Sequence, residues 1–194
     1  MGYLQTQKPV AEPISIAEVK LHIRVDQSDE DTLMAMIVTA ARQHAEQITA
    51  RSFMTQKWAY ILDGFYDGSG QTIRLEKGPV NSVDSITYID MAGVLQTLPT
   101  TEYAVDYTGP LTRITPKFGK IWPITLPQMA TVTINFTAGY GDATQVPEGL
   151  KSWIKLRCGT LYENREDVLI GQKFTVVDLN FVDTLLDPYR ILRA

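Results

Sequence analysis

The feature that most constrains this chain is a change of hydrophobic period, made twice. From Ile16 to Thr49 apolar residues recur at three- and four-residue spacing, from Thr55 to Thr137 they alternate with polar ones, and from Pro147 to Asn164 the helical spacing returns. A helix-period pattern does not settle as a strand, nor a strand pattern as a helix. The order is therefore helix, helix, a β-rich middle, helix and a C-terminal segment, which predicts an α+β fold. With 194 residues and 44% hydrophobic content, the chain can bury a real core within one domain carrying a small appended lobe. No internal repeat or low-complexity tract interrupts this organisation.

The first helix has a readable start. Ser15 and Glu18 form an S-x-x-E capping box, with Ile14 and Val19 placed for a hydrophobic staple, and the helix is expected to reach Arg24. Ser28, Asp29, Glu30 and Asp31 then supply a cap and acidic residues at the positive end of a second helix that runs to Thr49. On it Leu33, Ile37, Ala40, Ala41, His44 and Ile48 form one stripe, while Gln43, Glu46 and Gln47 face elsewhere. Met34 and Val38 lie off that stripe and widen the apolar surface, so they are candidates for an interface, core packing being the alternative.

In the middle, Trp58, Tyr60 and Leu62, then Tyr103, Val105 and Tyr107, then Val132, Ile134 and Phe136 repeat every second residue. Turn signals such as Gly78-Pro79, Ala92-Gly93 and Gly109-Pro110 separate about six short strands, expected to pair antiparallel in a compact sheet or small barrel. Pro147 suits the first residue of the third helix, whose stripe is Leu150, Ile154, Cys158 and Leu161. Arg165 to Lys173 reads as a loop, and Thr175 to Val177 as a brief strand. Phe181, Val182, Leu185 and Leu186 make a last apolar turn or two before Pro188, with Tyr189 to Ala194 extended beyond.

Charge and composition exclude several classes of function. The 18 basic residues against 22 acidic ones leave a net charge of -4, without the surplus that sequence-independent DNA binding requires. A mildly acidic wall would instead let a duplex slide past. The longest apolar run, Leu33 to Ala41, is broken by Thr39 and too short to cross a bilayer, and no export signal opens the chain, so no membrane association is expected. A single cysteine, Cys158, makes no internal disulfide and suits the cytoplasm.

Catalysis needs convergent polar groups, and the sequence offers few. His22 and His44, the two histidines, stand in no metal-ligand spacing. Cys158 lies on an apolar stripe with no histidine nearby, and Asp29-Glu30-Asp31 reads as helix capping in preference to a metal site. Gly68-Ser69-Gly70 and Gly139-Tyr140-Gly141 complete no phosphate-binding pattern, and no G-x-S-x-G elbow occurs. The chain is read as a non-enzyme with no catalytic residue, no metal and no cofactor.

Four stretches, in order, resemble head-tail connector (adaptor) proteins of long-tailed phages and prophages. They are Glu12 to Asp26 followed by Asp29-Glu30-Asp31; Phe136-Thr137-Ala138-Gly139-Tyr140-Gly141 with Val146-Pro147; Tyr162-Glu163-Asn164-Arg165-Glu166; and Leu185-Leu186-Asp187-Pro188-Tyr189-Arg190. The resemblance implies a helical core from residues 1–52 and 141–180, a β-lobe at 53–140 inserted into it, and a C-terminal tail at 181–194. It also implies a twelvefold ring of copies beneath the portal protein of a virion, assembled in the host cytoplasm. Such a ring extends the channel through which double-stranded DNA passes without sequence-specific binding, and offers a surface to a stopper or tail-completion protein. A cyclic ring needs two different complementary faces per subunit, and Met34 and Val38 are assigned to one of them. The tail residues Phe181, Leu185, Leu186, Tyr189, Arg190, Ile191 and Leu192 are assigned to the portal contact, the alternative being a last helix packed on its own subunit. Two other readings stay open: a stopper or tail-completion protein, and a small β-rich hydrolase or carbohydrate-binding domain with Trp58, Tyr60, Tyr103 and Tyr107 lining a groove.

Overall fold

The computed structural model describes residues 1–65, 71–164 and 180–191, and among these the side chains of Asn180 and Phe181 are not described. The chain divides into two compact units, one of residues 1–10 and 55–140 and the other of 11–54 and 141–194. The fold is α+β, with helices and antiparallel sheets segregated by unit.

The sheet unit contains β1 (Gly2–Gln7), β2 (Gln56–Leu62), β3 (Ile73–Leu75), β4 (Val80–Ile89), β5 (Leu95–Thr97), β6 (Tyr103–Asp106), β7 (Thr112–Pro116) and β8 (Val132–Ala138). They form a five-stranded sheet of order β1-β2-β8-β4-β5 and a three-stranded sheet of order β3-β7-β6, all pairs antiparallel. Both sheets contribute to one core. Central β8 shows the reason most plainly: Val132, Ile134, Phe136 and Ala138 are fully buried, while Thr133, Asn135 and Thr137 between them are half-buried. Ile73 and Leu75 from β3, Ile114 from β7 and Tyr103 from β6 complete the same cluster.

Strand β1 is the element that sequence patterning did not predict, and it places residues 1–10 with the sheet and not with the helices. Gln5, Thr6 and Gln7 make half of it polar, as an edge strand allows, and a register irregularity between Gln5 and Gln7 interrupts its pairing with β2. Tyr3 anchors it, stacked on Tyr60 at 4.3 Å between ring centroids and meeting Phe136 edge-on. The Tyr3 hydroxyl accepts the Glu76 N–H at 2.8 Å.

The helical unit contains α1 (Ile16–Ile23), α2 (Asp31–Thr49), α3 (Glu148–Glu163), the short α4 (Asn180–Asp183) and a 3-10 turn at Asp187–Tyr189. The capping box of α1 forms as expected: the Glu18 N–H reaches Ser15 Oγ at 3.2 Å and Glu18 Oε2 accepts the Ser15 N–H at 2.8 Å. Ile14 and Val19, the staple pair, are both buried. Helix α2 starts without a side-chain cap; Glu30 holds the cap position and its carboxylate accepts the Tyr162 hydroxyl of α3 at 2.5 Å instead. Asp31 pairs with Lys20 of α1 at 2.5 Å. Pro147 caps α3 from just outside, one position earlier than expected. Residues 165–179, including the loop and brief strand expected there, lie outside the described residues.

The buried side of α2 is rotated from the expected stripe. Met34, Ile37, Val38, Ala41 and Ala45 point inward, whereas Ala40 and His44 are exposed. Arg42 and Glu46 are buried too, although Glu46 was expected to face away. The reason is a charge network: Arg42 donates to Glu12 Oε2 at 2.6 Å and to Glu46 Oε2 at 2.7 Å, and Glu46 Oε1 accepts the Phe53 N–H at 2.7 Å. Burial alone would weaken the charge on Arg42, but its hydrogen bond to Glu12 and the nearby Glu46 charge outweigh it and raise its pKa.

Candidate functional site

No group of three or more metal-ligating side chains converges among the described residues. His44 is exposed and lies edge-on to Trp153 at 5.6 Å, and His22 is exposed on α1. Cys158 is fully buried on α3, and that burial pushes its thiol up to about 12, so it is protonated and inert at neutral pH. Asp106 is held well below the usual carboxylate range by hydrogen bonds from Thr108 and by Arg113, which ties a surface turn. Gly139 and Gly141 have φ of 131° and 117°, and a Cβ on Gly141 would strike the Gln145 side chain, so the Gly-Tyr-Gly sequence serves backbone conformation. Gly68-Ser69-Gly70 lies outside the described residues.

The aromatic groove does not form as one surface. Tyr103 is in the core, Tyr60 is covered by Tyr3, Trp58 lies beneath Lys77 Nζ at 5.2 Å, and only Tyr107 is exposed.

The C-terminal segment is placed by its own unit. Leu186 is fully buried and Ile191 nearly so. The Ile191 N–H reaches the Thr49 carbonyl at 3.1 Å, Arg51 Nε donates to the Tyr189 carbonyl at 2.5 Å, and Trp153 Nε1 donates to Asp183 at 2.9 Å. The segment therefore packs on its own helices, and Tyr189, expected to begin an extended tail, lies in the 3-10 turn with Pro188. Leu185 and Tyr189 are half-buried and Arg190 is exposed. Leu192 lies outside the described residues, as does the side chain of Phe181.

Met34 and Val38, the residues assigned to a ring face, are 0% and 1% exposed. They are core of this chain: the extra width of the α2 apolar surface is spent inside it, because Arg42 and Glu46 share the buried side and leave less of it apolar. Periodicity reports how much of a helix is apolar, not which neighbour covers it.

The surface that sequence reasoning missed is the connection between β7 and β8. Phe118, Ile121, Ile124 and Met129 are exposed there, although the segment is pinned. Trp122 is buried, stacked on Phe65 at 4.8 Å with its Nε1–H on the Gln71 carbonyl, and the Leu126 N–H reaches the Ile89 carbonyl. Lys117 Nζ donates to the Thr100 carbonyl and Lys120 pairs with Glu102, both at 3.1 Å. The signal available was a run of apolar residues with prolines and no alternation, which fits neither strand nor core.

Comparison with known proteins places these features. Residues 13–92 match the family of phage gp6-like head-tail connector proteins. The whole chain shares its fold with a chain in the neck of an empty gene transfer agent particle computed with C6 symmetry, at a TM-score of 0.81 and 24% identity, covering 100% of this chain and 97% of that one. A chain of the virion of the native particle aligns at 0.80 and 24%, and one of its neck computed with C12 symmetry at 0.78 and 22%, each over 100% of this chain and 97% of the other. No curated protein matches the sequence.

Proposed function

We propose, from the match of residues 13–92 to the family of phage gp6-like head-tail connector proteins, that this chain is a structural connector of a phage-like virion. It works by geometry: copies form a closed ring at the head-tail interface, beneath the portal, and the ring continues the DNA channel toward the tail. The observation that carries this reading is the family match, joined to a fold shared over the full chain with proteins in virion necks. The rotational symmetry of those necks supports a ring of twelve copies.

In this reading the protein carries out no catalytic step. Its partners are further copies of itself, the portal and a stopper or tail-completion protein. DNA slides past a chain whose formal charge of -4 gives it no general grip on phosphates. Assembly takes place in the host cytoplasm and the product resides in the virion. The C-terminal segment meets the portal through the surface that its own packing leaves free at Leu185, Tyr189 and Arg190.

The test is to mix the purified chain with portal assemblies of its own particle and image them by electron microscopy. A ring seated on the narrow end of the portal is expected. Binding elsewhere, or none, contradicts the reading, whereas a monomer in the absence of portal does not, because a ring interface can require its template.

A further inference from the structure

Helix α3 carries one residue that its own unit does not explain. Leu150, Trp153, Ile154 and Cys158 form the buried stripe of that helix, each 0–1% exposed. Arg157 falls on the same stripe, seven residues after Leu150, four after Trp153 and three after Ile154. It is half-buried, and its Nε is buried with no hydrogen-bond partner. Among the described residues no carboxylate pairs with it either. A cation set among apolar side chains costs stability unless an anion meets it, and a buried N–H without an acceptor adds to that cost. Arg42 shows how this chain treats a buried guanidinium that it uses for itself, with Glu12 at 2.6 Å and Glu46 at 2.7 Å. Arg157 has no such pair, which points to an acceptor outside its own chain.

The same unit displays an anion of the matching kind. Of the acids at the start of α2, Glu30 accepts the Tyr162 hydroxyl and Asp31 pairs with Lys20. Asp29 does neither: it is exposed, and its carboxylate has no partner among the described residues. It sits in a turn closed by the Asp31 N–H on the Ser28 carbonyl at 3.2 Å. Its backbone is thereby fixed between two tethered neighbours, so pairing would cost it little conformational freedom. Asp26 is exposed too, but lies before that turn. Arg157 and Asp29 belong to one unit and do not meet within it. An unpaired guanidinium and an unpaired carboxylate are unlike partners, as the two faces of a ring subunit must be. A two-fold contact through either one would set like charges together, which favours a head-to-tail arrangement.

We infer that Arg157 of one copy pairs with Asp29 of the next, head to tail around the ring. This rests on the ring reading above. The experiment assembles full-length chains on portal of their own particle and follows ring formation by electron microscopy over a concentration series. Arg157→Glu sets two acids together and Asp29→Arg sets two cations together. Each alone should raise the concentration needed for rings by about tenfold or more. An equal mixture of the two should form rings near the wild-type concentration, because alternating copies then meet the opposite charge on both sides. A purely structural role for either residue would not be rescued by mixing. Arg157→Gln removes the charge alone; it should weaken assembly while leaving the urea midpoint of the free chain within error of wild type or above it. A fall in that midpoint would give Arg157 a partner inside its own chain and overturn the inference. Normal rings from Arg157→Glu overturn it as well. So do normal rings from Asp29→Arg, which would place the acceptor on portal or another partner, and variants that fail both alone and mixed. All of these leave the connector reading standing, whereas failure of the wild-type chain to form any ring on portal overturns both.

Discussion

Removal of Arg42 is the sharpest test of how the helical unit is held. Its guanidinium is 4% exposed and ties Glu12 on the incoming chain to Glu46 one turn along α2. Arg42→Ala leaves the Glu46 carboxylate, 11% exposed at its side chain, without its cation while Phe53 N–H still holds it in place. Breaking a buried pair from one side costs about 3–5 kcal/mol, because the remaining charge stays desolvated. Glu46→Gln should cost less, about 1.5–3 kcal/mol: the amide oxygen can still accept the Phe53 N–H, and Arg42 keeps Glu12. Urea unfolding followed by ellipticity at 222 nm reads this unit, since the helices of the described residues all lie in it. With a slope of about 2 kcal/mol/M, Arg42→Ala should lower the midpoint by roughly 2 M. An Arg42→Ala midpoint within experimental error of wild type, or a Glu46→Gln loss larger than that of Arg42→Ala, would refute the argument that unpaired charge dominates.

Gly159→Ala should stabilise α3 by about 0.5–1 kcal/mol in the same assay, since a Cβ there meets only Ile23 at 3.6 Å and glycine is costly inside a helix. Cys158 should fail to react with a thiol reagent in native buffer and react fully in denaturant, as a buried thiol pushed up to about 12 requires. Ser15→Ala should cost about 1 kcal/mol at neutral pH through loss of the α1 cap. Glu18 is held below its ordinary value of 4.5, first by the hydrogen bond from the Ser15 N–H, so its contribution is present above that value and is lost as pH falls through the folded pKa. Urea titrations at descending pH should therefore show wild type losing more stability than Glu18→Gln as pH falls below 4.5.

The elements whose one face alone decides their placement were legible in the sequence. Alternation in β8 and the Ser15–Glu18 box at α1 each carry a local chemical reason for their structure, and both appear where that chemistry puts them. Strand β1 was not legible because an edge strand needs no apolar alternation; its place depends on Tyr3 finding Tyr60, 57 positions away by residue number. The inward turn of Met34, Val38 and Glu46 was hidden for a related reason. Which side of α2 is covered depends on Arg42 reaching Glu12, a contact across 30 residues that no helical periodicity encodes. The C-terminal residues were read as a segment that needs docking, and within the part described Ile191, Tyr189 and Asp183 bond to Thr49, Arg51 and Trp153 of the same chain, contacts that no local pattern encodes. Phe118 and its neighbours escaped notice because an exposed apolar loop has no period of its own.

The central claim is that this chain works as a ring joining head to tail, and a reconstruction of the neck of its own virion tests that most directly. The account predicts symmetric density immediately below the portal into which both units of this chain fit, with twelve copies around the DNA channel. Virions whose neck density excludes this fold, or that carry the chain only in the capsid shell or the distal tail, would contradict it.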